Sequence, residues 1–200
     1  YHDSNGIYGT IGANYKLNSG GSGVVDTTDH RTAGILFDGR NNGAIMFETN
    51  SAGNQPDTRL KINQHGGFSF NNAELVERVK ITAGKLSDNT NIDLENGMVH
   101  YFTTQETTTS TPNIRLNSST NLNDVMDTGD VVTVTLITTA AAAGYSAHLT
   151  IDSGSRTEEW VGGSAPSEGG SDGLDVYTYT IIKTGNGAYT VLANLTNCSN

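Results

Sequence analysis

The chain is poor in the residues that staple, break or span. Of its 200 residues one is cysteine, three are proline and one is tryptophan. The lone Cys198 can close no internal disulfide, so stability has to come from packing or from association with other chains. Basic residues are scarce too: 11 Lys and Arg stand against 21 Asp and Glu, a formal net charge of −10. That balance repels phosphate backbones and anionic surfaces, and no basic cluster offsets it, so no nucleic acid partner is expected. No apolar run approaches bilayer length, so no membrane insertion is expected either. With 16% charged residues the chain is equally unlike a highly charged disordered segment. It lacks an initiator Met and a signal-peptide pattern, and Tyr1 is read as the start of a fragment of a longer chain.

What is abundant is Thr, Ser, Asn and Gly. Thr favours strands, while Gly and Asn supply the positive φ of tight turns, so the expected fold class is all-β. From Ile35 onward short strands announce themselves as i, i+2 apolar pairs: Ile35 and Phe37, Ile45 and Phe47, Leu60 and Ile62, Phe68 and Phe70. Asn42-Gly43 and Gly66-Gly67 mark hairpins between them. Each strand offers two or three inward side chains, worth roughly 1.5–3 kcal/mol apiece when buried, against about 1–2 kcal/mol of backbone entropy per ordered residue. A single ladder of this kind barely holds, whereas three copies around a common axis would bury the pairs against one another. The alternative is one sheet of an ordinary sandwich.

Residues 71–80 are ambiguous between helix and strand and are read as a joint, giving two domains, 1–72 and 73–200. Asn96-Gly97 between two apolar runs, and Asn186-Gly187 between Ile181-Ile182 and Tyr189, predict further hairpins. Residues 117–128 read as a loop with a helical turn. About seven strands in the second domain suit a β-sandwich, jelly-roll-like in style. Its core candidates are Val132, Val134, Leu136, Leu149, Ile151, Trp160, Val176, Tyr179 and Val191.

Trp160-Val161-Gly162-Gly163-Ser164-Ala165-Pro166, followed by Gly173-Leu174-Asp175-Val176-Tyr177-Thr178-Tyr179 and a Gly-containing hairpin, resembles the C-terminal module of tail-fibre proteins of marine tailed bacteriophages, cyanophage-like in style. Gly43-Ala44-Ile45-Met46-Phe47-Glu48-Thr49, then Thr58-Arg59-Leu60-Lys61-Ile62 and a Gly turn, is similar to shaft repeats of the same fibres. The resemblance implies an elongated homotrimeric β shaft followed by a β-sandwich head. Ile35, Phe37, Ile45, Phe47, Leu60, Ile62, Phe68 and Phe70 would then pack at the trimer axis. It also implies a virion protein assembled in the host cytoplasm, with other virion tail proteins and a host surface glycan or outer-membrane receptor as partners.

The chemistry-bearing patterns are weak by comparison. Gly169-Gly170-Ser171-Asp172-Gly173 has the spacing of a nucleophile elbow without the apolar strand and helix that elbow needs. The five histidines show no metal-ligand spacing, with His2 and His65 the least implausible for a site shared between three copies. Residues 88–93 are oxygen-rich but lack the Gly and distal Glu of a calcium loop. Glu158 and Glu159, adjacent on a strand, point to opposite faces and cannot flank one glycosidic bond. No catalytic residue, metal or cofactor is therefore expected, and the chain is read as non-enzymatic. Receptor contact is placed on three polar loops, 103–111, 140–145 and 164–173, with Thr107, Thr109, Tyr145, Ser164, Ser167 and Ser171 as candidates. Tyr177 and Tyr179, with Tyr101, Tyr145, Trp160 and Tyr189, offer aromatic surface for stacking on sugar rings but are read chiefly as core or inter-subunit packing. The rival readings are a monomeric carbohydrate-binding β-sandwich and a small polysaccharide-degrading enzyme.

Overall fold

The computed structural model describes residues 2–3, 6–26, 30–39, 43–50 and 55–199. It is nearly all β and divides into two units, Tyr1–Val76 and Glu77–Asn200. Residues 73–78 between the last strand of one and the first of the other form neither helix nor strand, because Leu75 and Val76 are each 78% exposed and have nothing to pack on.

The first unit is an antiparallel sheet of β1 (His2–Asp3), β2 (Gly6–Ala13), β5 (Ala33–Asp38), β6 (Ala44–Thr49), β7 (Asp57–Asn63) and β8 (Phe68–Phe70), in that order. A small hairpin of β3 (Tyr15–Leu17) and β4 (Gly23–Val25) accompanies it. Gly66, at φ +80°, turns β7 into β8 as its sequence suggests; Asn42 lies outside the described residues. On one face the Tyr15 ring fits over Gly34, where an added Cβ would lie 2.6 Å from its ring carbons. The Tyr15 hydroxyl donates to Glu48 Oε2 at 2.7 Å and Thr58 donates to Oε1 at 3.1 Å. Burial, then the Glu48 hydrogen bond, pushes the Tyr15 pKa up. Among the described residues of this unit the buried apolar side chains are Tyr15, Val25 and Leu36.

The opposite face is apolar and open. Register aligns two rows across five strands: Ile11, Ile35, Phe47, Leu60 and Phe70, then Gly9, Phe37, Ile45, Ile62 and Phe68. All eight residues assigned to a trimer axis lie here, because even spacing within each strand and in-register pairing between strands keep them on one side. Ile11 and Phe68 are about two-thirds exposed, and no charged residue interrupts either row.

The second unit is a two-layer sandwich built by winding. Strands β9 (Val79–Thr82), β11 (Val99–Gln105) and β13 (Val131–Thr139) run parallel in one layer. Between them the chain crosses to the other layer, where β10 (Asn91–Asp93), β12 (Asn113–Arg115) and β14 (Thr150–Ile151) also run parallel. The short β15 (Gly154–Ser155) ends that layer. The first layer is completed by β16 (Glu158–Trp160), β17 (Leu174–Gly185) and β18 (Ala188–Cys198), in the order β16-β18-β17-β13-β11-β9. Both layers are built around stacked parallel coils, whereas the jelly-roll style expected from the sequence, which left strand order open, is built of antiparallel Greek keys.

The same winding overturns the hairpin predicted at Asn96-Gly97. β10 and β11 lie in different layers, and Gly97, at φ +114°, ends a 3-10 turn over Leu94–Asn96. The Asn186-Gly187 hairpin does form, joining β17 to β18, and a 3-10 turn occupies Leu122–Asp124. Val134, Leu136, Leu149, Ile151, Tyr179 and Val191 are core; Val132 and Trp160 pack at its margin. Val176 does not join them: on β17 the inward residues are the odd-numbered ones, so Val176 faces out beside Ile137. The outward rows of β9, β11, β13, β17 and β18 carry no charged residue, and Ile81 and Val131 there are more than half exposed.

Gly34→Ala is expected to destabilise the first unit by about 1–3 kcal/mol through overpacking on Tyr15, read as a lower thermal midpoint. His100 is 4% exposed, with its ring Nε2 3.1 Å from the Gly97 carbonyl, and burial lowers its pKa. Its folded-state contribution is therefore fully present above the unfolded value of about 6.5 and is lost as pH falls through the folded pKa. Unfolding midpoints measured from pH 7 to 5 should fall more steeply for the wild type than for His100→Gln.

Candidate functional site

Parallel winding delivers the ends of β9, β11 and β13, and the start of antiparallel β17, to one end of the second unit. The three loops assigned to receptor contact, 103–111, 140–145 and 164–173, meet there. Gln105 Nε2 donates to the Ala140 carbonyl at 3.1 Å, the Ser110 amide to the Tyr145 carbonyl at 2.9 Å, and the Ser110 and Ser146 hydroxyls are 2.6 Å apart. The Gly169 amide donates to the Ala142 carbonyl at 3.0 Å, and the Ala140 amide to the Gly173 carbonyl at 3.0 Å.

Two buried carboxylates hold this surface in place. Glu106 accepts from the amides of Leu86 and Ser87, which open a 3-10 turn at Leu86–Asp88, and Gly144 passes so close to it that a Cβ would collide. Asp175 is fully buried, accepts the Gly170 amide at 3.0 Å on both oxygens, and takes Asn197 Nδ2 at 2.7 Å. Close approach to that carboxylate is what requires glycine at position 170, where a Cβ would lie 2.7 Å from Asp175 Oδ1. The Tyr177 hydroxyl accepts the Ser146 amide at 3.1 Å beneath the loops, and burial pushes its pKa up to about 12.

Thr107, Thr109, Ser167 and Ser171 are exposed on these loops; the Thr107 hydroxyl accepts from Lys85 Nζ at 3.0 Å, and Tyr145 is half-buried. Ser171 leads directly into strand β17, so its Gly-x-Ser-x-Gly neighbourhood lacks the following helix of an elbow. Among the described residues no three His, Cys, Asp or Glu side chains group as metal ligands. His65 sits in the β7–β8 turn with its Nε2 3.2 Å from Gln64 Nε2; the side chain of His2 lies outside the described residues.

Ser164 belongs to a second feature, a cleft of about 280 Å³ at the open edge of the sandwich. Glu158 and Trp160 share the inward side of β16, next to Val191 and Ala193, while Glu159 faces out. Glu158, with its side chain 3% exposed, accepts the Leu149 amide at 2.6 Å and lies 3.3 Å from His148 Nδ1. Trp160 packs edge-on to Tyr179, ring centroids 6.2 Å apart, and Tyr179 stacks with Tyr177 at 6.4 Å. Arg156 lies over the Tyr189 ring at 5.1 Å. Arg156, His148 and the buried roles of Glu106 and Asp175 had no local motif to announce them; for Asp175 the parity of β17 is the available signal.

Comparison with protein-family models, with curated proteins and with solved structures returned no match.

Asp175→Ala is expected to leave the Gly170 amide and Asn197 unpaired, costing about 1–3 kcal/mol and raising hydrogen exchange across 164–173. Unchanged protection in that loop would show that Asp175 does not anchor it.

Proposed function

We propose that this chain is the distal part of a homotrimeric phage tail fibre that attaches the virion to a host surface glycan or outer-membrane component without catalysis. The observation that carries the reading is the open apolar face of the first unit. Nine apolar side chains lie across five strands of one sheet with no charge among them, in a chain whose net charge is −10. Monomeric proteins rarely leave a contiguous apolar face of this kind in water. Among the described residues the unit's other face buries too few apolar side chains to hold six strands by itself.

A second copy of the same face is the matching occupant, because like faces meet without repulsion only where charge is absent. Three chains about an axis would cover all three faces at once. The outer rows of β9, β11, β13, β17 and β18 in the second unit, where charge enters only at Glu159 on the edge strand β16, suit the same association. This agrees with the resemblance carried by the turn after Trp160 and the strand after Gly173. Adhesion then follows from number: three weak loop surfaces per fibre, and several fibres per particle, combine into stable attachment. The polar tips of loops 103–111, 140–145 and 164–173 can vary without disturbing the strands beneath them.

Light scattering on the full chain should give a mass about three times 21.1 kDa. Phe47→Glu, which puts a charge into the middle of the open face, should shift the mass toward one chain while the near-ultraviolet signal of Trp160 in the second unit persists. A wild-type monomer would sink the fibre reading and leave the monomeric carbohydrate-binding module in its place.

A further inference from the structure

We infer that the cleft beside Trp160 is a binding site for one carboxylated sugar residue, a uronic acid of a surface polysaccharide. The inference rests on the adhesive reading above and names the ligand chemistry of one site within it. The cleft measures about 280 Å³, just below the roughly 300 Å³ at which pockets for drug-sized ligands begin, so it takes a single pyranose ring and not a chain of them. Its wall includes the only tryptophan of the sequence, half-buried and held edge-on by Tyr179, an immobile apolar surface for the C–H face of a sugar.

The polar groups decide between neutral and acidic sugars. Glu158 and Glu159 both line the cleft, but Glu159 alternates onto the opposite face of β16, and the Glu158 carboxylate is engaged by the Leu149 amide and His148 and is almost fully covered. Arg156 is the opposite case. Its guanidinium makes one hydrogen bond among the described residues, from Nη2 to the Ile151 carbonyl at 3.3 Å, and no ion pair with a carboxylate. Tyr189 beneath it, with the guanidinium carbon 5.1 Å from its ring centroid, favours a cation. The Arg156 Nε is covered, and a half-buried guanidinium whose Nη donors are mostly unused is a receptor for a planar carboxylate. His148, largely exposed at the rim, and the Ser164 hydroxyl with the Gly163 backbone supply further groups for ring hydroxyls. Gly163, at φ +83°, lets the chain turn at this wall without a side chain filling it. In so acidic a protein, the open Nη donors of Arg156 are what would favour an anionic glycan over a neutral one at this aromatic cleft.

With a single tryptophan in the chain, intrinsic fluorescence reports occupancy of this cleft directly. The full chain is titrated with D-galacturonate and D-glucuronate, with galactose and glucose, and with acetate. A saturable change with a uronate, about tenfold tighter than with the neutral hexose as expected for one charge-assisted hydrogen bond, supports the site. Polygalacturonate binding as well as the free sugar identifies a polymer-borne residue as the ligand. Binding of the free sugar alone overturns the polysaccharide assignment. Arg156→Gln should reduce uronate binding to the neutral level, and Arg156→Lys should lie between, each with an unchanged thermal midpoint. If either variant is destabilised, the wild-type comparison of uronate with hexose and acetate still decides. No response to uronate, or one equalled by the hexose or by acetate, overturns the inference. A trimer indifferent to uronates removes this site and leaves the fibre reading standing; a monomer that binds them does the reverse.

Discussion

The inward row of β17 is the constraint on which the second unit depends. Asp175, Tyr177, Tyr179, Ile181 and Lys183 alternate onto one face and are all buried, so the strand carries a carboxylate at one end of the core and an ammonium at the other. Among the described residues neither is paired with the opposite charge. Asp175 is held by the Gly170 amide and Asn197, and Lys183 Nζ by the carbonyls of Asn123 and Met126 at 2.5 Å each. Buried charge is tolerated only when hydrogen-bonded, so each end group dictates where a loop must pass. The aromatic centre of the strand then fills the space between the layers, with Tyr177 and Tyr179 stacked and Trp160 closing the edge.

From that arrangement the two surfaces follow. One end of the unit is polar and tied by hydrogen bonds between loops, which fixes those loops at their base. The open edge, where β16 and β15 end their layers, is closed by Trp160 and Glu158 and leaves a cleft beside Arg156. Both surfaces lie on loops and edge strands, outside the buried rows that fix the sandwich. The first unit applies the opposite economy: it has one small polar core around Tyr15 and Glu48, and it leaves its broadest apolar face uncovered. The proposed association between chains would cover that face.

Much of this was legible in the residues. Pairs such as Ile35 with Phe37 and Leu60 with Ile62 needed only the two-residue period of a strand to be placed on one face, and Gly66-Gly67 and Asn186-Gly187 needed only turn chemistry. All-β class and the opposed faces of Glu158 and Glu159 rest on the same local rules. Val176 shows how far those rules reach: counted against Tyr179, its parity already places it on the outer face.

Strand order was another matter. Whether β11 pairs with β10 across Asn96-Gly97 or with β9 and β13 from other coils depends on which partner buries His100 and Phe102, a comparison between segments distant in sequence. Turn propensity is worth less than that burial, so the local hairpin signal lost. The roles of Glu106, Asp175 and Arg156 have the same origin, since each is defined by partners brought together only when the layers close. The sequence by itself determined which side of each strand is apolar, because alternation is a property of one strand's backbone. Only the tertiary structure decided which strands are neighbours, which charges are buried and where a cleft opens, because those follow from the burial of the whole chain at once.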